Sequence, residues 1–236
     1  MNGSGGHYVG GELELFAGAV NWKAYVASVL RPFVRGRVLE VGAGLGANIP
    51  HLHNDRVASW TSLEPDLDLA ARIAGAVRAG TLPAGCRVVT GTIADIDPAA
   101  RYDTILYIDV LEHIADDAAE LAAAARRLAP GGHLVVLSPA HQFLFSRFDA
   151  AIGHHRRYCA RSLAALTPPG CRLARCWMLD AAGFFASAAN AMLIKAPMPS
   201  ERQIRVWDRV LVPISRVLDR GTLHRFGKTI VAVWSR

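Results

Sequence analysis

A short apolar run, Arg37-Val38-Leu39-Glu40-Val41, stops at three alternating glycines, Gly42, Gly44 and Gly46. Such a run reads as a buried strand, and glycines after it let the backbone turn tightly and approach a ligand closely. The pattern then repeats. Trp60 to Glu64, Arg87 to Thr90, Tyr102 to Ile108 and His133 to Leu137 read as further strands. Ala47 to Leu52, Asp66 to Ala79 and Asp117 to Leu128 read as the helices between them. Strands alternating with helices pair in parallel through right-handed crossovers, so the expectation is a doubly wound α/β sheet. Leu173 to Leu179 and Thr229 to Trp234 supply two later strands, giving seven strands with a helical insert before the last.

At 236 residues, 52% hydrophobic and 19% charged, the chain suits a single packed domain. The division expected is a helical cover over 1–36, a cofactor-binding core over 37–140, and a substrate side over 141–236. Cys86, Cys159, Cys171 and Cys176 make no C-x-x-C pair, which points to a reduced cytosolic setting. Ala181 to Ile194 is apolar but shorter than the ~20 residues that span a bilayer. Ile204, Trp207, Leu211, Ile214 and Leu218 recur at helical spacing, with Pro213 expected to kink or split that helix. Plain packing, a lid and peripheral contact with lipid all remain open for this insert. The net charge of +6 includes Arg147, Arg156, Arg157, Arg161, Arg172 and Arg175 around the single acid Asp149. That segment suits an anionic acceptor, whereas no basic run is dense enough to announce nucleic acid.

Glycine loops occur in many nucleotide sites, so the flanking acids decide the reading. Glu40, two residues before Gly42, would repel a pyrophosphate but suits a cationic sulfonium. Glu64 ends the next strand, where it can accept from both ribose hydroxyls. With this loop, Glu64 and the segment YDTILYIDVLEHI (Tyr102 to Ile114), the stretch from Arg37 to Pro139 resembles class I S-adenosylmethionine-dependent methyltransferases. The resemblance implies S-adenosyl-L-methionine as cofactor. It places Glu40, Gly42, Ala43, Gly44, Gly46, Glu64 and Pro65 at the cofactor, then Thr92 and Ile93 near adenine. Asp109 and Val110 follow at the end of the fourth strand. Thr92 stands where relatives often carry Asp, which leaves the adenine contact to backbone, Asp95 or water. Some quinone-biosynthetic relatives bind a divalent metal through a run like Asp109-x-x-Glu112-His113. Here the run is read as closing the cofactor pocket, with no metal.

Beyond the fifth strand, Gly153-His154-His155-Arg156-Arg157-Tyr158 resembles a segment of a bacterial subgroup associated with glycan, lipid and natural-product chemistry. His154, then His141, are the candidate bases for an acceptor hydroxyl. His113, Arg157, Tyr158 and Tyr8 are candidate acceptor contacts, and Lys23 a candidate cover over the cofactor. The expected activity is methyl transfer to O or N of a small-molecule or lipid- or glycan-linked acceptor. The alternatives are an NAD(P)-dependent oxidoreductase and a regulator that binds cofactor without turnover.

Overall fold

A computed structural model describes residues 12–83, 85–189 and 198–236. The strands are β1 (Gly36–Val41), β2 (Val57–Glu64), β3 (Cys86–Thr90), β4 (Tyr102–Ile108), β5 (Leu128–Pro139), β6 (Arg172–Leu179) and β7 (Thr229–Ser235). They form one sheet in the order β3-β2-β1-β4-β5-β7-β6. β1 to β5 run parallel, and β7 is antiparallel to both β5 and β6. The sheet is therefore doubly wound, seven-stranded and mostly parallel, as expected. Its strand order reverses between β1 and β4, and ligands bind beyond the carboxyl ends of the strands at such a switch point.

Alternate side chains on each strand point to opposite faces, which divides the core in two. Leu106, Val135, Leu137, Val231 and Val233 pack on one face, with α2 (Val20–Leu30) and α3 (Ile49–Leu52). Ile105, Tyr107, Leu134, Val136, Ile230 and Ala232 face the other side, with α5 (Asp117–Arg126). α1 (Glu12–Ala17) precedes α2, and α4 (Leu67–Arg78) joins β2 to β3. The short helices α6 (Arg147–Ala151) and α7 (Ala160–Ala165) lie between β5 and β6. The insert holds α8 (Ala181–Ala189), α9 (Glu201–Val206) and α10 (Val212–Gly221).

Two details differ from the sequence reading. Leu128 to Gly132, ahead of the strand expected over His133 to Leu137, forms the irregular beginning of β5. Tyr102 pairs with Leu128, and the register then jumps to Thr104 with His133. In the insert, Trp207–Leu211 widens into a π turn between α9 and α10. Pro213, in the first turn of α10, has no N–H to return to the preceding turn. The extra residue of a π turn rotates the following helix by about a quarter turn. Ile204 and Trp207 are accordingly buried, but Val212, Ser215 and Asp219 replace the expected Ile214 and Leu218, which are 45% and 41% exposed.

Candidate active site

The loop after β1 needs its glycines for backbone reasons. Gly42, Gly44 and Gly46 have φ of +65°, +56° and +69°, where an L side chain is strained. At Gly42 a Cβ would also lie 2.7 Å from a methyl of Val110. Gly42 N–H donates to Leu63 O (2.8 Å), and Gly44 N–H donates to Glu64 Oε2 (2.7 Å). Glu64 Oε1 accepts from Asp66 N–H (3.0 Å), so one buried carboxylate ties the loop to the end of β2. Burial raises the pKa of Glu64, while the hydrogen bonds from Asp66 and Gly44 oppose the rise.

Glu40 lies beneath this loop. Its oxygens accept from Asn48 Nδ2 (3.0 Å) and Trp60 Nε1 (3.2 Å). Burial pushes its carboxyl up to about 7, against the pull of those donors and of Lys23. Leu13 of α1 faces Gly44, its methyls about 3.6 Å from where a Cβ would stand, so the N-terminal helix covers the loop. Pro65 is exposed beside the buried Asp66, which caps α4 by accepting from Asp68 and Leu69 N–H. Thr92 is exposed and Ile93 buried; the Thr92 N–H and hydroxyl both donate to Asp95, forming a small capped turn after β3.

A cavity of about 870 Å³ opens above the glycine loop, bordered by Gly42, Ala43, Gly44, Lys23 and Asp109 and walled by Phe16, Phe148 and Trp207. Asp109 has φ +54°, a left-handed conformation that Asp tolerates better than most residues and that turns the chain out of β4. Burial raises its pKa, opposed by the basic groups Lys23, His154 and Lys228. Lys23 is lowered by its own burial, opposed by Asp109, Glu40 and Asp208. Lys23 and Asp109 thus both border the cavity beside the loop, and each favours the other's charged form.

The opposite wall is organised by Asp149, which is fully buried. It accepts from Ser146 N–H and Oγ (2.8 Å each), and from Arg157 Nε (2.8 Å) and Nη2 (2.9 Å). His154 Nδ1 lies 2.9 Å from its Oδ1. Burial alone would raise this carboxyl, but His154 and Arg157 hold it well below the usual carboxylate range. An ionised carboxylate only accepts, so the shared hydrogen sits on Nδ1, and in the neutral ring Nε2 is then the acceptor. That Nε2 is 3.8 Å from Glu112 Oε1.

Glu112 is fully buried. Its Oε2 accepts from Ser138 Oγ (2.9 Å), while Oε1 has no hydrogen-bond partner among the described residues. Burial, reinforced by Asp109, drives its pKa well above the usual value, which favours the neutral acid. His113 stacks edge-on against His154 at 4.6 Å between centroids, and burial lowers its pKa to about 4. Glu112, His113 and His154 each offer one ligand atom, all within 4.8 Å of one another, a donor set able to hold a divalent cation.

Of the candidates read from sequence, Gly42, Ala43, Gly44, Asp109, His113, His154 and Arg157 border the cavity. His141 and Tyr158 are not among the residues bordering it. His141 Nε2 meets Gly227 O at 3.0 Å in an aromatic cluster with Phe143 and Phe184. Tyr158 is buried and donates to Asp117 Oδ2 (2.8 Å) and Leu111 O (3.2 Å). Val110 supports Gly42 from behind, and Tyr8 lies outside the described residues. Asp149 is the residue that sequence reading leaves without a role. Its signal is the spacing Ser146-x-x-Asp149, where the acid caps α6 and receives the histidine and arginine together.

Comparison with known proteins agrees with this geometry. The methyltransferase-domain family matches residues 19–184. A curated ubiquinone biosynthesis O-methyltransferase of Xanthomonas axonopodis pv. citri (strain 306) is 31% identical over 114 residues, 47% of this chain; the chain spans 45% of that relative's length. The fold is shared with the [4+2]-cyclase SpnF at a TM-score of 0.64 and 15% identity, covering 97% of this chain and 94% of that one. It is also shared with coclaurine N-methyltransferase bound to N-methylheliamine and SAH, at a TM-score of 0.62 and 16% identity over 90% and 71% of the two chains. A sheet of this order, a glycine loop between two buried acids and a match over most of the chain lead to one assignment: the chain belongs to the methyltransferase-domain family, the class I group whose cofactor is S-adenosylmethionine.

Proposed function

We propose that this chain transfers a methyl group from S-adenosylmethionine to a hydroxyl oxygen of a small, largely apolar acceptor, with His154 removing the proton. The observation that carries this reading is the Asp149–His154 pair on the cavity wall. A carboxylate that fixes one imidazole nitrogen leaves the other oriented as a base, the arrangement that serves proton transfer in unrelated enzymes. The aromatic and aliphatic walls of the cavity favour an apolar acceptor body. The O-methyltransferase name of the Xanthomonas relative supports oxygen as the acceptor atom. A lipid- or glycan-linked acceptor fits the same volume.

The residues present fit the cofactor, since the backbone of Gly42, Ala43 and Gly44 borders the cavity in left-handed turns at Gly42 and Gly44. The sulfonium supplies an electrophilic methyl and leaves as a neutral thioether. In this reading Lys23 would meet its carboxylate, Asp109 its ammonium group and Glu64 the ribose hydroxyls. His154 Nε2 accepts the acceptor's proton while Asp149 keeps the ring in register. The largely apolar walls of the cavity limit water around a positioned oxygen, which favours in-line attack.

The test is turnover with labelled cofactor and a panel of phenols and lipid extracts. His154→Asn should lower kcat by roughly 10²–10⁴-fold with S-adenosylhomocysteine affinity retained. Unchanged turnover in that variant would remove His154 from the chemistry. A second reading has its own observation: the unpartnered Glu112 Oε1 beside His113 and His154 suits a divalent cation. Chelation that abolishes turnover, with restoration by added metal, would favour it over the base.

A further inference from the structure

We propose that the outer face of α9 and α10 docks the protein on an anionic lipid bilayer. Between Glu201 and Gly221 the charges are sorted by sign. Arg202, Arg205, Arg209, Arg216 and Arg220 are all exposed. The two aspartates of the segment point inward: Asp208 accepts from Trp22 N–H and Asn21, and Asp219 from Tyr25 Oη and the backbone at Asp180 and Ala181. Glu201 is the one acid on the outer surface of this described segment. None of the five arginines forms an ion pair with another described residue.

Between these arginines lies an aliphatic stripe. Val206 and Val210 are each 49% exposed, Ile214 45% and Val217 71%. Their spacing of four, four and three residues keeps them on one side of a helix. The π turn produces this stripe, because it rotates Ile214 and Val217 outward and Ser215 and Asp219 inward. Apolar side chains between long arginines match the boundary of a bilayer, where the stems lie along acyl chains and the guanidinium heads meet phosphates. A two-fold contact with a second copy would set arginines against arginines, which disfavours self-association through this face. No helix among the described residues is long and apolar enough to cross a membrane.

The same helices border the cavity through Arg202, Val206 and Leu211. A bilayer seated on this face would lie beside the cavity rim, which suits an acceptor carried in the lipid phase. Docking is nevertheless independent of the chemistry assigned to His154 and is read without any methyl transfer.

The experiment is co-sedimentation of the full chain with phosphatidylcholine vesicles, with and without phosphatidylglycerol, at low and high salt. Binding to the anionic vesicles should weaken in high salt, and pure phosphatidylcholine should retain little protein. The double variants Ile214→Glu/Val217→Glu and Arg205→Glu/Arg209→Glu alter exposed positions, so melting temperature and S-adenosylhomocysteine affinity should match the wild type. Each should reduce partitioning onto anionic vesicles by about tenfold or more. Equal binding to both vesicle types, or folded variants that bind as well as the wild type, would overturn the proposal. Indifference to all vesicles would overturn it too and would leave the face to a protein partner. A dimer in light scattering that the Ile214→Glu/Val217→Glu variant dissociates, without vesicle binding, would make the occupant a second copy.

Discussion

At the scale of single residues, the chemistry depends on carboxylates held in opposite states. Asp149 is kept ionised by His154 and Arg157, whereas burial drives Glu112, on the other side of the His154 ring, toward its neutral form. Asp149→Asn can no longer dictate the histidine tautomer, and it leaves Arg157 without a charged partner in the wall. It should therefore lower kcat as His154→Asn does and also reduce stability, by roughly 3–5 kcal/mol for a broken buried pair. Chemical denaturation beside steady-state kinetics separates the two effects. Glu40 carries a prediction of the opposite sign. Its carboxyl titrates near about 7 in the folded chain against 4.5 as an ordinary glutamate. Stability is thus fully present below about pH 4.5 and declines as pH rises through 7, by on the order of 3 kcal/mol. Glu40→Gln should flatten that decline in a pH series of thermal melts. His154 is legible in the sequence as a titratable group in a polar segment, but its partner is not, because only the fold of α6 brings Asp149 under it. His141 and Tyr158 have equally suitable chemistry in sequence; a carbonyl and a half-buried aspartate, respectively, occupy them instead.

Secondary-structure elements show where pattern suffices and where packing intervenes. The five parallel strands are readable because each is a short apolar run with a turn signal at its end. The loop at Gly42 is readable for the same reason, and its conformation can be tested. Gly42→Ala should weaken S-adenosylhomocysteine binding and cost about 1–2 kcal/mol for the left-handed backbone, with about 1–3 kcal/mol more for the clash with Val110. Adding Val110→Ala should recover only the second part in a calorimetric comparison. The late helices are less readable, since a π turn changes their phase and polar groups form part of their anchor. Asp180 accepts from Trp207 Nε1 (2.6 Å), Gly183 N–H (3.0 Å) and the Ser215 hydroxyl, with Lys228 Nζ 3.3 Å away. A periodicity search looks for apolar residues at such positions and finds aspartate and serine. Asp180→Asn should loosen the insert, giving faster amide exchange in α8 to α10 before any change in the sheet.

Taken whole, the molecule places its cofactor loop and its acceptor wall on segments far apart in sequence, joined by one sheet. β7 pairs with β5 along seven residue positions and with β6 on its other side, so residues beyond 140 complete the core laid down before them. A chain cut after Ala140 should lose the cooperative melt of the full chain in circular dichroism. The family assignment, the cavity and the paired acids converge on a single expectation, which calorimetry with S-adenosylhomocysteine tests most directly. The predicted result is saturable one-to-one binding to the wild type, retained in His154→Asn and weakened by about tenfold or more in Glu64→Ala, which removes the proposed ribose acceptor. Absence of binding to the folded wild type, or full affinity in Glu64→Ala, would contradict the account.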